Sequence, residues 1–154
     1  MENRNHRIQI LNPDLTFHKS FGGHGKGEGQ FNEPKDVAFD SVGDVYVADN
    51  ENHRIQVFTK EGEFLRQFRK EAKGKGELNY PTGISITSDD VVYVSELYNY
   101  RVSVFTSDGV YQTSFGGQGN EKGKFIDPRG IAVDKNGTVY VSDHGNDRIQ
   151  LFGL

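Results

Sequence analysis

The chain of 154 residues repeats itself every 47 residues, and this period limits its fold more than any other feature. The stretch from Pro34 to Phe58 returns as Pro81 to Phe105 and again as Pro128 to Phe152, and the three copies align without a gap. A shorter piece, residues 5–11, matches the end of each copy. A fixed period of roughly 20–50 residues predicts a repeat architecture in which neighbouring units bury a shared core.

Each unit contains four short segments that have the composition of β-strands, and we name these segments a to d. They are rich in β-branched and aromatic residues and are bounded by turn residues. Along the chain they follow the order c d, a b c d, a b c d, a b c, which makes thirteen segments. We place a at 36–40, 83–87 and 130–134; b at 44–48, 91–95 and 138–142; c at 5–11, 52–58, 99–105 and 146–152; and d at 15–21, 63–68 and 110–115.

The connections between the segments favour antiparallel meanders. Short polar turns join a to b and c to d, whereas the links from d to the next a, at 22–34, 69–81 and 116–128, are too long for a hairpin. Repeated four-stranded sheets of this length are typical of β-propeller blades. Leucine-rich and helical repeats need a 3.6-residue periodicity that the sequence lacks, and a β-sandwich would not need three ungapped copies of one sequence.

The composition excludes several classes of function. Basic residues number 18 and acidic residues 22, so no strong overall field draws the chain to nucleic acid or anionic lipid, although a local basic patch is compatible with this balance. The absence of cysteine excludes disulfides, thiolate zinc sites and a cysteine nucleophile. No apolar stretch is long enough for a signal peptide or a membrane span, so we expect a cytoplasmic protein with no membrane partner.

The repeated residues resemble those of a known family. Residues 128–152, PRGIAVDKNGTVYVSDHGNDRIQLF, are similar to the NHL repeat, and residues 52–55 lie where its Asn-His-Leu signature falls. The middle unit departs most, with Ser85, Thr87 and Glu96 in place of Ala, Asp and Asp. The resemblance covers the whole chain, so residues 1–154 are predicted to form one domain. It implies an all-β propeller, usually six-bladed, in which segment a lines the central channel.

The glycine-rich style of residues 21–34 is most similar to the NHL domains of tripartite-motif ubiquitin ligases. The RING and B-box domains of such ligases need cysteines, which these 154 residues lack, so any ligase role would belong to segments outside this sequence or to another protein. The resemblance implies that the rim around the channel binds RNA or protein.

The number of segments predicts self-assembly. Thirteen segments make about three blades, and an open arc of three blades leaves two apolar faces uncovered. Two copies placed end to end would close a six-bladed ring with twofold symmetry, so we expect a homodimer, with a nine-bladed trimer as the alternative. Residues 1–11 of one chain and 147–154 of the other then compete for one position. The composite blade would take a and b from one chain and d from the other.

Acidic and arginine residues recur in pairs, five positions apart across the turn between b and c. Such a pair can form a bidentate ion pair within one blade, and because it recurs in every unit we interpret it as structural. The repeated asparagines at 52, 99 and 146 are expected to hydrogen-bond their own turn. The pairs are Asp49 with Arg54, Glu96 with Arg101, and Asp143 with Arg148.

Function is expected where the copies differ, on the rim formed by the d–a links and the b–c turns. The residue after each repeated proline is Lys35, Thr82 or Arg129, at the start of segment a. Two basic residues with aromatic neighbours can hold phosphates and stack bases, which favours single-stranded or stem-loop RNA, or a peptide. The candidate ligand-binding residues are Lys35, Arg129, Tyr98, Tyr100, His53 and His144.

The sequence favours a non-enzymatic binding module without a cofactor or a metal. The glycine-rich residues 21–29 lack the Lys-Ser end of a phosphate loop and are interpreted as a flexible link. Of the five histidines only His6 and His53 share a repeat position, so no zinc site converges by register and no Ser-His-Asp arrangement can be argued. The alternatives are a protein or peptide scaffold, a natural or engineered fragment with no ligand, and a zinc-dependent propeller similar to peptidyl-amidating lyases.

Overall fold

The computed structural model describes residues 3–68 and 76–153, so the first part of the middle d–a link, residues 69–75, lies outside the described residues. Within these ranges the chain forms thirteen β-strands and three short 3-10 turns. None of its described helices has the length and apolarity needed to cross a membrane. The strands are β1 (Arg7–Leu11), β2 (Phe17–Gly22), β3 (Pro34–Phe39), β4 (Val45–Asp49), β5 (Arg54–Phe58), β6 (Phe64–Phe68), β7 (Pro81–Ile86), β8 (Val92–Glu96), β9 (Arg101–Phe105), β10 (Tyr111–Gly116), β11 (Pro128–Val133), β12 (Val139–Asp143) and β13 (Arg148–Phe152).

The strands form four antiparallel sheets in chain order. A two-stranded sheet, β1-β2, is followed by the four-stranded sheets β3-β4-β5-β6 and β7-β8-β9-β10 and by the three-stranded sheet β11-β12-β13. This arrangement confirms the predicted order of segments. The strands begin at the repeated prolines, two residues before the predicted a segments, because Pro34 already pairs with Asp49 across the sheet.

The sheets stack face to face, and three apolar cores lie between them. Alternation along the central strands supplies both faces: in β4, Val45 and Val47 point back to the preceding sheet, while Tyr46 and Ala48 point forward to the next one. The first core joins Ile8 to Val45, Val47 and Phe58, the second joins Tyr46, Ile55 and Val57 to Val92, Val94 and Phe105, and the third joins Tyr93, Val102 and Val104 to Phe125, Val139 and Val141.

The first strand of each larger sheet lies beside the first strand of the next, as in a propeller. Asp36 Oδ2 on β3 accepts a hydrogen bond from the Ile84 amide on β7 at 3.0 Å. Ser85 Oγ on β7 accepts one from the Val133 amide on β11 at 3.1 Å. The inner strands β3, β7 and β11 are therefore linked across the sheets, and the all-β fold is β-propeller-like.

The forward face of the last sheet is bare. Ile149 and Leu151 on β13 are 59% and 60% exposed, and Tyr140 on β12 is 37% exposed. Their equivalents in the second sheet, residues 55, 57 and 46, are all fully buried by the third sheet. The exposed side chains are thus core side chains whose neighbouring sheet is missing from this chain.

Candidate ligand-binding rim

Each repeated arginine holds the link that leads into its own blade. The Nε atom of Arg54 donates to Asp49 Oδ2 at 2.7 Å, and its terminal nitrogens donate to the carbonyl oxygens of Lys26, Gly27 and Gln30 at 2.8–2.9 Å. The expected ion pair therefore forms, but it is not bidentate, because the link carbonyls use the other N–H groups. Residues 21–29, interpreted from the sequence as a flexible link, are hydrogen-bonded to Arg54 through the carbonyl oxygens of Lys26 and Gly27.

We call this arrangement, an arginine bound to its acidic partner and to carbonyl oxygens of the link, the arginine clasp. It recurs in the other blades. Arg101 Nε lies 2.9 Å from Glu96 Oε1, and Arg148 Nε lies 3.0 Å from Asp143 Oδ2. Burial raises the pKa of Asp143, but hydrogen bonds from Asn146, the Ile126 amide and Arg148 outweigh it and hold that pKa below its ordinary value. The clasp is part of the scaffold, because these charges bind one another and the carbonyl oxygens of the link.

The repeated asparagine completes the clasp. Asn52 Nδ2 donates to Asp49 Oδ2 and to the Gly25 carbonyl oxygen, each at 2.9 Å. Asn146 repeats both contacts, with Asp143 Oδ2 at 2.7 Å and the Gly119 carbonyl oxygen at 3.1 Å. The amide side chain thus joins its own turn, as expected, to the d–a link.

His53 joins two blades. It precedes Arg54 with a left-handed φ of 53°, and its Nδ1 atom accepts a hydrogen bond from the Tyr80 amide of the next blade at 3.1 Å. His6, at the same repeat position, accepts from the Glu33 amide at 3.0 Å. Tyr100 has the same left-handed φ but packs against the third core instead. His53 and Tyr100 therefore lie outside the rim cavity described next.

The starts of β3, β7 and β11 converge on a concave cavity of about 550 Å³. All three larger sheets contribute to its wall, so it lies at the inner rim where the prolines stand. Lys35, Arg129 and Tyr98, three of the candidate ligand-binding residues, meet here, and Thr82 lies between the two cations. The lining residues are Glu33, Lys35, Asp36, Asn50, Glu51, Tyr80, Thr82, Leu97, Tyr98, Arg129 and Gly130.

Both cations of the cavity are neutralised by acids two residues earlier in the chain. Lys35 Nζ lies 2.8 Å from Glu33 Oε2, and Arg129 NH2 lies 2.8 Å from Asp127 Oδ2. The hydrogen bond from Lys35 holds the pKa of Glu33 below its ordinary value, and the hydrogen bond to Asp127 raises the pKa of Arg129. The acid–Pro–base spacing around Pro34 and Pro128 is visible in the sequence, and it is the signal that the sequence reasoning missed.

In the middle blade, aromatic groups replace this ion pair. Tyr80 stands at the position of Glu33 and Asp127, and its ring meets the Tyr98 ring edge to face, with centroids 4.8 Å apart. The His53 ring supports Tyr80 from another side, with centroids 4.3 Å apart. Tyr98 nevertheless remains 54% exposed. The cavity therefore combines a supported, accessible aromatic side chain with two flanking ion pairs.

His144 lies in a neighbouring hollow of about 390 Å³ that shares Arg129 with the rim cavity. Its Nδ1 atom is 2.9 Å from Asp127 Oδ2, so Arg129 and His144 share one carboxylate. Among residues 3–68 and 76–153, no three His, Asp or Glu side chains are grouped closely enough to hold a metal ion.

The sheets and the rim define a β-propeller-like repeat protein with a recessed rim surface. The family model of the NHL repeat matches residues 31–58, 78–105 and 125–152. The chain belongs to the NHL-repeat family, as its sequence predicted. Each matched segment runs from the buried residue of the link (Phe31, Leu78 or Phe125) to the end of the third strand of the blade. It contains the arginine of the clasp and its acidic partner, whereas the link carbonyls that the arginine binds lie just before it.

Solved structures of lyases share this fold. A streptogramin B lyase superposes with a TM-score of 0.72 at 16% identity, over 100% of this chain and 50% of that one. Virginiamycin B lyase from Staphylococcus aureus gives a TM-score of 0.67 at 19% identity, and its catalytically inactive variant with quinupristin gives 0.69 at 20%, each over 99% of this chain and 50% of that one. At these identities the likeness shows the fold alone, and this chain spans half the length of each. The search of curated proteins gives no match.

Proposed function

We propose that this chain is a non-enzymatic interaction module that binds a segment of a partner protein in the rim cavity. The observation that supports this choice is the pairing of both rim cations with acids. Lys35 and Arg129 are already paired with Glu33 and Asp127, so a nucleic-acid phosphate would have to compete with a carboxylate for each of them.

The remaining charges also disfavour a polyanion. Asp36 and Glu51 line the cavity in addition to Glu33, so carboxylates outnumber the two cations. Burial raises the pKa of Asp36, although the amides of Ile84 and Val37 oppose this by hydrogen bonding. A surface with excess acid repels a phosphate backbone and suits a peptide that brings hydrogen-bond donors or a basic side chain.

The aromatic side of the cavity suits an apolar side chain of the same peptide. Tyr98 and Leu97 form the wall beside Thr82, and Tyr98 is held in place by Tyr80. A rigid, exposed tyrosine offers contact area at a low entropic cost, and such residues often dominate protein interfaces. The volume of about 550 Å³ also falls among ordinary ligand sites, which run to roughly 300–1,000 Å³.

The absence of catalysis is part of the proposal. Two of the five histidines, His6 and His53, accept hydrogen bonds from backbone amides between sheets, which gives them a structural role. The lyase activity named for the similar structures belongs to those proteins, and no histidine lines the rim cavity here.

The proposal can be tested by selecting ligands from a random 12-residue peptide library on the immobilised chain. We expect enriched peptides that bind the wild type and lose about tenfold or more in affinity on Tyr98→Ala, as for interface hot spots. Phe39→Ala is the matched control, because Phe39 is also an exposed aromatic residue but lies at the other end of β3.

A random single-stranded RNA pool tests the competing ligand on the same preparation. We expect no salt-sensitive retardation of this pool. Retardation at low salt that the double variant Lys35→Ala/Arg129→Ala abolishes would contradict the peptide proposal and would identify the rim as an RNA surface.

A further inference from the structure

We propose that a second copy of this chain covers the bare forward face of β11-β12-β13 and adds its β2 strand to the free edge of β13. This inference concerns a surface remote from the rim ligand and does not depend on the proposed function. Strand β13 of one copy and β1 of the other compete for the same place beside β2. The inference follows from the exposure of core residues, from the repeat register and from the contacts that each of these two strands would lose.

The bare face has a complement within the chain itself. In the second sheet, the face that points backward carries Val45, Val47 and Phe58, which pack against Ile8 and Phe21 of the small first sheet and against Phe31 of the link. Between complete blades the same backward face meets a tyrosine and two aliphatic side chains of the preceding sheet, as Val92, Val94 and Phe105 meet Tyr46, Ile55 and Val57. The exposed Tyr140, Ile149 and Leu151 are the equivalents of those three side chains, two sheets further along the chain.

The free edge of β13 can pair with β2 in the register that β1 and β2 already have in this chain. In this chain β2 pairs with β1, with Ile8 opposite Phe21 and Ile10 opposite Lys19. Strand β13 is β1 shifted by three periods, so Ile149 replaces Ile8 and Leu151 replaces Ile10. The third sheet pairs its last two strands in the equivalent register, with Val102 opposite Phe115. Strand β2 of the partner can therefore pair with β13 in place of its own β1, without a change of register.

The contacts decide which of the two competing strands stays in place. Peeling off β13 would unpack Phe152 from Phe115 and Phe125, whose ring centroids lie 4.7 and 5.7 Å away. It would also open the clasp of Arg148 on the link. The substitute for Phe152 would be the smaller Leu11, which is half exposed in the chain. Strand β13 therefore keeps its place, and β1 of the partner is displaced.

Displacement of β1 breaks the hydrogen bond from the Glu33 amide to His6, and Asp147, at the same repeat position beside β13, offers a carboxylate acceptor in its place. Ile8 on the backward face of the second sheet is replaced by Ile149, an identical side chain. Strand β2 keeps its own contact, in which the Phe21 ring lies 4.9 Å from the Phe58 ring. Two such exchanges related by a twofold axis would produce four four-stranded sheets and two composite sheets, which is a closed six-bladed ring.

Matched charge substitutions on the two competing strands test this exchange by analytical ultracentrifugation of the 154-residue chain. The wild type is expected to sediment with the mass of two 17.3-kDa chains at about 50 µM, well above a micromolar dissociation constant. Ile149→Asp/Leu151→Asp should raise the dimer dissociation constant about 100-fold or more, because two buried carboxylates would have no partner. Ile8→Asp/Ile10→Asp should leave the dimer intact or tighten it, because the competing strand is weakened.

Two cysteine pairs provide a second measurement, and the absence of natural cysteines makes them unambiguous. Oxidised Lys19→Cys/Leu151→Cys should run as a covalent dimer, whereas Lys19→Cys/Ile10→Cys should lock β1 onto β2 and give a monomer. A monomeric wild type would overturn the proposal and would leave the bare face to further repeats of a longer chain. A cis-locked variant that still dimerises would also overturn it, because β13 would then not be the strand that receives β2.

Discussion

Arg54 and Asp49 form an ion pair that is closed to water: their side chains are 2% and 0% exposed, and Nε lies 2.7 Å from Oδ2. The remaining N–H groups of the arginine donate to three backbone carbonyls of the link and to Gln67 Oε1, so the charge is desolvated but fully hydrogen-bonded. A buried pair of this kind adds modest net stability when intact and leaves an expensive unpaired charge when broken.

Arg54→Met should therefore lower the free energy of unfolding by about 3–5 kcal/mol. The substitution leaves the buried carboxylate of Asp49 without its arginine partner and removes the hydrogen bonds to the link. Urea unfolding measures the loss. Arg148→Met is the matched control, since Arg148 makes the same contacts with 28% of its side chain exposed. Solvent screening should reduce that loss to about 1–2 kcal/mol. Equal losses in the two variants would contradict a role for burial.

Gly109→Ala should cost about 3 kcal/mol, from a left-handed backbone and a steric clash together. Gly109 has φ +82°, and an added Cβ would lie 2.5 Å from the Phe68 Cβ of the preceding sheet. Gly43 has a similar φ of +91° but nothing within 4 Å, so Gly43→Ala should cost only about 1 kcal/mol for the backbone. Thermal unfolding compares the two. A loss in Gly43→Ala as large as in Gly109→Ala would show that the contact between sheets is unimportant.

Ser41→Ala should remove a stabilisation that depends on pH. The Ser41 hydroxyl and amide donate to Asp90 of the next sheet at 2.6 and 2.8 Å, and these bonds hold the pKa of Asp90 below 3.8. An acid whose pKa is lowered by folding stabilises the fold above its unfolded value and loses that contribution as pH falls through the lower folded value. The melting temperatures of wild type and Ser41→Ala should thus differ near neutral pH and converge in acid.

The control for this pH series is Ser88→Ala. Ser88 stands at the repeat position of Ser41 but takes no part in the contact with Asp90. Its substitution should leave the acid dependence of the melting temperature unchanged. A difference between wild type and Ser41→Ala that persists with Asp90 protonated would assign the effect to the serine alone.

Glu33→Gln/Asp127→Asn should create an affinity for RNA that we expect the wild type to lack. Removing the two carboxylates frees Lys35 and Arg129, which lie in one cavity. Two free cations predict a slope of about −1.4 in log affinity against log salt for single-stranded RNA, at ~0.7 per phosphate. Fluorescence anisotropy with a labelled random pool measures this slope. The variant that also carries Lys35→Gln/Arg129→Gln is the control and should bind no RNA.

The strands could be predicted from the sequence because their signals are local and recur. The continuous apolar run Val45-Tyr46-Val47 is typical of a strand buried on both faces, and two further copies at the same spacing support the same interpretation. The sequence predicts that the proline of each blade lies two residues before the first strand. It belongs to the strand, because Pro34 pairs with Asp49 without needing an amide hydrogen of its own.

The rim could be placed from the sequence, but its charge could not. Lys35, Tyr98 and Arg129 were expected to meet, and the structure brings them into one cavity. The pairing of Lys35 with Glu33 could not be predicted, because a residue before a proline is usually extended and an extended Glu33 would point away from Lys35. In the structure Glu33 adopts φ 53°, and its carboxylate lies within 2.8 Å of Lys35. RNA binding, closure by a second copy and the specific similarity to tripartite-motif proteins stay predictions.

The arginine clasp bears on how such a chain changes over evolutionary time. Arg54 reaches back 24 to 28 residues, to Gln30 and Lys26, and every bond of the clasp stays inside one period. Duplicating or deleting one whole unit would thus cut no clasp, whereas a one-residue insertion between the link and the arginine would misalign its donors. The clasp therefore constrains the length of the unit and sets no limit of its own on the number of units, which gives a physical reason for three copies that still align without a gap.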